Sequence, residues 1–210
     1  MYVEYSRCGA YSFNQHSMDE IEIVVLAGGK SSRMGQDKGL MPLLGRSMIQ
    51  YVINTAEEVG CPIRIVANDS SYIGFGYPVV SDIFPEKGPL GGLYTALMTS
   101  QAKYVLLLSC DTPMITRALL TFLITNVADK EILVSSVQER LFPLLAIYRK
   151  DLAPEILPLI STNRLKMQSF IRSRNYQELD IKDFVESNSK ILANINTLAD
   201  FNDIQGAILL

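Results

Sequence analysis

Residues 21–27 form a run of strand length, apolar except for Glu22, that passes without a linker into Gly28-Gly-Lys-Ser-Ser-Arg-Met-Gly35 and then Gln36-Asp-Lys38. A buried strand ending in such a loop restricts the fold sharply, because few architectures place a glycine turn at a strand end against a ligand. Gly28, Gly29 and Gly35 can take backbone angles closed to other residues and let main-chain N–H groups approach an anion, while Lys30, Arg33 and Lys38 bring positive charge to the same place. The segment reads as a grip on nucleotide phosphates. Two familiar phosphate loops are excluded by counting. A Walker loop ending in Gly29-Lys30-Ser31 would need its first glycine at position 24, which is Val24. The dinucleotide G-x-G-x-x-G fails because Gly28 and Gly29 are adjacent and no third glycine follows at the required offset. A plain surface loop between a strand and a helix shares this composition and stays open at this point.

Downstream, apolar runs of strand length alternate with helical patterns, which argues for parallel βαβ units rather than a bundle or sandwich. The spacing predicts a helix over 45–59, with Met48, Val52 and Ala56 on one face and Gly60 as its stop. Strands are expected at 62–67 and 77–80, a helix at 90–100, and an almost wholly apolar strand at 104–109, as when both faces of a sheet are covered. Thr116 can cap a helix over 117–127, strands follow at 132–137 and 144–148, and the last third reads as helical at about 151–173 and again from Leu198. No internal repeat or linker marks a second domain. The expected fold is therefore α/β, a single-domain Rossmann-like, mostly parallel sheet flanked by helices over residues 21–210.

A net charge of −3 over 210 residues leaves no electrostatic footprint for nucleic acid or an anionic membrane. The basic groups at 30–38 are local equipment, and the expected ligand is small and anionic. Apolar runs such as Tyr104 to Leu108 fall far short of the ~20 residues of a membrane span, so a soluble protein is expected. Cys8, Cys61 and Cys110 are odd in number and widely spaced, which indicates neither a disulfide framework nor a zinc site and suits a cytoplasmic location. Residues 1–20 lack the pattern of a signal peptide and are expected to be a flexible arm; Met18 offers an alternative translation start, and His16, the only histidine, is expected to be idle there.

In open α/β sheets ligands sit beyond the carboxyl ends of the strands, and Asn68, Asp82 and Asp111 fall at those ends with the glycine loop. Asp111, in Cys110-Asp-Thr-Pro113, is the candidate metal carboxylate, since a hard oxygen ligand facing polyphosphate is how Mg²⁺ is usually held, with phosphates and water completing the shell. An Asx-turn before Pro113 is the structural alternative. Lys38 and Arg33 can stabilise charge that shifts between phosphates as a bond breaks. Gly88-Pro-Leu-Gly-Gly92 can set a helix N-terminus against the nucleotide. Asp82 can accept from a ribose or base, and Asn68 offers donor and acceptor to a base edge; each could equally be a turn residue.

On Leu26-Ala-Gly-Gly-Lys-Ser-Ser-Arg-Met-Gly35 with Asp37-Lys-Gly39, on Asp82 before Gly88-Pro-Leu-Gly-Gly92, on Cys110-Asp-Thr-Pro113 and on Asn194-Ile-Asn-Thr197, the chain resembles the molybdenum cofactor guanylyltransferases, within the glycosyltransferase-A-like nucleotidyltransferases. The resemblance covers most of residues 21–204. It implies transfer of GMP from GTP to molybdopterin with release of pyrophosphate. It further implies GTP binding by Leu26, Ala27, Gly28, Gly29, Lys38, Asn68, Asp82 and Asp111, with Asp111 also holding Mg²⁺ and with Asp111, Lys38 and Arg33 acting in catalysis. Asn194, Asn196, Arg164 and Lys166 would meet the molybdopterin substrate. Transient contacts with molybdenum-insertion proteins and target oxidoreductases are implied as well. Many members have His-Pro where this chain has Phe142-Pro143. Relatives with another base or acceptor, such as the cofactor cytidylyltransferases and the sugar-phosphate nucleotidylyltransferases, are the enzyme alternatives; a GTP- or cofactor-binding protein without turnover is the other.

Overall fold

The computed structural model describes residues 20–28, 37–195, 200 and 204. Its strands are β1 (Ile21–Leu26), β2 (Pro42–Leu43), β3 (Arg46–Ser47), β4 (Ile63–Val66), β5 (Val79–Val80), β6 (Tyr104–Ser109), β7 (Ile132–Val137), β8 (Arg140–Arg149) and β9 (Tyr176–Asp180). The helices are α1 (Met48–Glu57), α2 (Gly88–Thr99), α3 (Arg117–Thr125), α4 (Ala153–Ser161), α5 (Met167–Arg172) and α6 (Lys182–Ser187). Seven strands form one sheet in the order β5-β4-β1-β6-β8-β7-β9, and only β8 runs against the rest. The expected mostly parallel α/β sheet flanked by helices is what the chain forms.

The two faces of the sheet explain its sequence. Ile21, Ile23 and Val25 of β1 pack with Leu106 and Leu108 of β6 against α1 and α3, where Ile49, Val52, Leu119 and Leu123 meet them. Val24 of β1 and Val105 and Leu107 of β6 face the other way, toward Leu90, Leu93 and Leu97 of α2 and Ile156 of α4. A central strand covered on both faces must be apolar at consecutive positions, as these are. Glu22 is the exception, buried on β1 and held by Arg64 Nε at 2.9 Å. Thr116 caps α3 by accepting from the Leu119 amide at 3.3 Å, as its residue type predicts.

Four local expectations are corrected. The helix over 45–59 begins only at Met48, because Leu44 (φ 48°) and Gly45 (φ 80°) form the turn of the β2–β3 hairpin. The helix over 151–173 is two helices, α4 and α5, interrupted at 162–166, where Asn163 takes φ 55°. The strand expected at 144–148 spans 140–149 and is antiparallel to both neighbours, since Gln138 (φ 48°) and Glu139 (φ 64°) make a tight hairpin turn after β7. Last, β9 and α6 had no counterpart in the expected element order: β9 pairs only with β7 at the sheet edge and carries half-exposed polar residues.

Register aligns the ends of the parallel strands. Leu26 pairs with Val66 on one side and Ser109 on the other, and Val66 pairs with Val80. These four residues form one row across the sheet. Gly28, Asn68, Asp82 and Asp111 each lie two residues beyond a member of it. β7 runs with β6, and β8 enters from the same edge, its Leu145 paired with Leu108.

Candidate active site

The chain leaves β1 through Ala27, buried, and Gly28, exposed at φ 93°, a conformation L side chains rarely adopt. Gly29 and Arg33, like Lys30 and the other residues of 29–36, lie outside the described residues, as do Asn196 and the arm over 1–19 with Met18 and His16. The description resumes at Asp37, whose Oδ1 accepts from the Gly39 amide at 3.0 Å and so caps the single turn Lys38–Leu40. Lys38 opens that turn and is half-buried.

Across the row, Asn68 follows β4 with its side chain facing the neighbouring strand end: its Oδ1 accepts from the Asp82 amide at 2.9 Å. The next residue, Asp69, caps a short helical turn over Ser70–Phe75, and the Ser71 amide and hydroxyl hold its carboxyl below the usual carboxylate range. Asp82 is fixed from α2: its Oδ1 accepts from Thr95 Oγ1 at 2.7 Å and from the Phe84 amide at 3.1 Å. Thr95 is wholly buried and also receives the Ile83 amide at 2.9 Å. Asp82 is thus held by the same helix whose N-terminal turn carries Gly88-Pro-Leu-Gly-Gly92. The two glycines permit close packing there. A Cβ on Gly92 would sit 2.9 Å from Leu26 Cδ1, and one on Gly91 would sit 2.9 Å from the Phe84 carbonyl oxygen.

Asp111 lies two residues past the end of β6, half-buried, with Ser109 Oγ donating to its Oδ1 at 2.6 Å. Among the described residues that is its one side-chain hydrogen bond. The described residues form no metal cage: no group of three or more His, Cys, Asp or Glu able to hold a metal occurs among them. A single carboxylate oxygen fits an ion such as Mg²⁺, which keeps water and substrate oxygens in its shell, and does not fit a structural metal held by protein alone. Beneath it Cys110 is buried, and burial, then the charges of Asp111 and Asp37, push its thiol up to about 12. It is a packing residue, not a nucleophile.

Of the late residues, Asn194 is brought to this point: the amide of the next residue, Ile195, donates to the Asp111 carbonyl oxygen at 3.0 Å, and Ile195 packs with Leu43 and Met48. Arg164 and Lys166 are exposed in the 162–166 loop, which Lys87 Nζ joins to the start of α2 through Asn163 Oδ1 at 3.2 Å. Among the described residues no hydrogen bond or ion pair links either one to the strand-end row. Phe142 is half-buried on β8, three residues past the Leu108–Leu145 pair with which the β6 pairing ends, and it pairs with Ser135 of β7, with the Arg140 guanidinium 5.3 Å over its ring. Sequence reasoning missed Asp37, Tyr72, Thr95 and Ser109 as supports. Thr95 had a signal, being the one polar residue within the buried stripe of Leu90, Leu93, Ala96 and Leu97; Tyr72 had none.

A cleft of about 330 Å³ between Glu20, Lys103, Tyr104 and Asp129 lies at the opposite edge of the sheet, where the parallel strands begin. Its charged groups are partly paired with one another, Lys103 Nζ lying 3.6 Å from Glu20 Oε2, and it includes none of the residues beyond the strand ends. Among the described residues no helix is long and apolar enough to cross a membrane.

Comparison with known proteins agrees with this geometry. Residues 23–179 match the MobA-like NTP transferase domain. A probable molybdenum cofactor guanylyltransferase of Flavobacterium johnsoniae is 34% identical over 188 residues, covering 89% of this chain and 97% of that one. The molybdenum cofactor guanylyltransferase of Haemophilus influenzae is 33% identical over 186 residues, covering 86% and 95%. The crystal structure of a protein from Aquifex aeolicus VF5 superposes with a TM-score of 0.72 at 32% identity, covering 84% of this chain and 93% of that one. Shared over nearly the full length of its relatives, in sequence and in fold, this pattern means that the chain belongs to the MobA-like NTP transferases, the family of the molybdenum cofactor guanylyltransferases.

Proposed function

We propose that the protein transfers GMP from GTP to the terminal phosphate of molybdopterin, yielding the guanine dinucleotide form of the cofactor and pyrophosphate. The observation that carries this reading is the alignment of Gly28, Asn68, Asp82 and Asp111 two residues beyond one row of paired strand ends. That alignment offers a glycine turn, an amide and two carboxylates along a single edge, which suits one extended nucleotide.

In this reading Leu26, Ala27, Gly28, Gly29, Lys38, Asn68, Asp82 and Asp111 bind GTP. Asn68 and Asp82 serve the base and ribose, and the glycine loop takes the phosphates. An oxygen of the acceptor phosphate attacks the α-phosphorus in line, the bond from that phosphorus to the bridging oxygen breaks, and pyrophosphate carries the electron pair away. No covalent intermediate on the protein is needed, and the work of the chain is positioning and charge stabilisation. Lys38 and Arg33 meet the negative charge that moves onto the leaving phosphates. Asp111 would hold Mg²⁺, which when bound neutralises phosphate oxygens. Asn194, Asn196, Arg164 and Lys166 serve the pterin substrate. The reaction belongs in the cytoplasm, with brief contacts to molybdenum-insertion proteins and target oxidoreductases at hand-over.

The test is pyrophosphate release with Mg²⁺ and molybdopterin, GTP against CTP, with Asp111→Ala beside the natural chain. Release with GTP alone, lost in the variant while its circular dichroism is unchanged, is expected. Preference for CTP would move the assignment to a cytidylyl transfer, and unchanged turnover in Asp111→Ala would remove that carboxylate from the mechanism.

A further inference from the structure

We propose that Tyr72 is a positioning residue for this reaction: its hydroxyl fixes Asp37, and through Asp37 the turn that presents Lys38. The proposal rests on the catalytic role given above to Lys38.

Tyr72 belongs to the short turn over Ser70–Phe75 that directly follows Asn68 and Asp69. Its side chain is wholly buried, and its hydroxyl donates to Asp37 Oδ1 at 2.5 Å, across 35 positions of sequence. The same oxygen accepts the Gly39 amide, the bond that closes the Lys38–Leu40 turn. A three-residue turn has little stability of its own. Lysine in addition presents its charge at the end of a flexible four-carbon stem, so the placement of its Cα must come from outside the side chain. Gly39 completes the lock: a Cβ there would lie against the Tyr72 hydroxyl and 3.2 Å from Cys110 Sγ. The turn bearing Lys38 is therefore seated on Tyr72 from one side and on the residue before Asp111 from the other. Burial, and then the bond to Asp37, push the phenol far above its ordinary value of 10.0, so the hydroxyl remains a donor at every working pH.

The consequence is mechanical. The segment carrying Asn68, the segment carrying Lys38 and the segment carrying Asp111 meet at one hydroxyl, one carboxylate and one thiol. A preorganised cation stabilises a transition state because no reorganisation remains to be done at the moment of reaction. Removing the hydroxyl while keeping the ring should loosen Lys38 without emptying the core.

The experiment is a double-mutant cycle on the full chain, with steady-state pyrophosphate release and thermal unfolding measured for Tyr72→Phe, Lys38→Ala and the pair. Tyr72→Phe is expected to lower kcat about tenfold with KM for GTP changed less than about twofold, because a well-placed Lys38 matters most in the transition state. The double variant is expected to be no slower than Lys38→Ala alone, since the hydroxyl acts only through that lysine. An unchanged kcat in Tyr72→Phe, or losses that multiply in full, would overturn the proposal while leaving Lys38 in place. A Lys38→Ala variant with normal kcat would overturn the lysine's role and this proposal with it. Asp37→Asn supplies a second arm: the amide oxygen can still accept from Tyr72 and Gly39, so activity within about threefold of the natural chain is expected, with Asp37→Ala as impaired as Tyr72→Phe. Equal loss in Asp37→Asn and Asp37→Ala would mean that charge, not placement, is what Asp37 contributes, and would also overturn it.

Discussion

Gly91 and Gly92 are neighbours on α2, yet alanine at each should do different things. A methyl on Gly91 meets the Phe84 carbonyl oxygen and Lys87 Cβ, both at 2.9 Å, and a backbone carbonyl cannot swing aside. Gly91→Ala should destabilise the protein by about 1–3 kcal/mol in urea unfolding, the usual range for overpacking. A methyl on Gly92 meets the Leu26 side chain first, its two methyls at 2.9 and 3.0 Å, which can rotate, and alanine gains up to ~1 kcal/mol of helix propensity over glycine. Stability should therefore change by less than ~1 kcal/mol, and the displaced Leu26 should instead raise KM for GTP. The glycine pair itself was legible in the sequence. What each glycine touches was not, because Phe84 and Leu26 approach through the tertiary fold. The same holds for Tyr72 and Asp37: hydrogen bonds between distant segments leave no local period to read.

At the scale of elements, β8 shows how a strand next to the site is kept irregular. Its pairing with β7 shifts between Val134 and Ser135, which oppose Ala146 and Phe142, so residues 143–145 have no partner on that side. Pro143, which cannot donate to a ladder, falls inside this bulge. Side chains take over from the interrupted ladder: buried Ser135 donates from Oγ to the Leu145 carbonyl at 2.7 Å, and Tyr148 donates to the Pro143 carbonyl at 2.8 Å. Ser135→Ala should cost about 1–3 kcal/mol in urea unfolding, the penalty of a buried carbonyl left unpaired. Long apolar strands such as β1 and β6 were readable because burial on both faces leaves a continuous run. The bulge, the hairpin turn at Gln138-Glu139 and edge strand β9 were not. Gln and Glu are not the residues that usually mark positive φ, and a strand with one neighbour has no need of an apolar pattern.

For the molecule as a whole, one thiol and three phenols that the fold holds protonated set its alkaline limit. Cys110 is pushed from 9.0 to about 12, chiefly by burial; Tyr77 from 10.0 to about 12, chiefly by its bond to Glu57; Tyr148 and Tyr72 are raised by burial. In each case the fold favours the protonated form. That contribution is complete below the unfolded values and is lost as pH climbs from about 9 through the folded ones. The urea midpoint should fall steadily above pH 9, and Cys110→Ala should show a shallower fall; an identical slope in the variant would clear the thiol of any part in it. The α/β class was legible at this scale because strand-length apolar runs alternate with helical stripes as far as β6. Beyond it β7 and β8 follow one another with no helix between them and the direction reverses, and only the turn after β7 decides that.

The reversed strand also has a bearing on how the protein is made. β8 lies between β6 and β7, so β6, whose residues are all buried in the finished sheet, has an open edge until residues 140–149 have left the ribosome. At ~5–20 residues per second the stretch from 110 to 149 takes about 2–8 s. An apolar edge exposed for that long is a template for pairing with other nascent chains. Slowed translation between α3 and β8 should therefore send more of this protein into aggregates than an equal delay after residue 149.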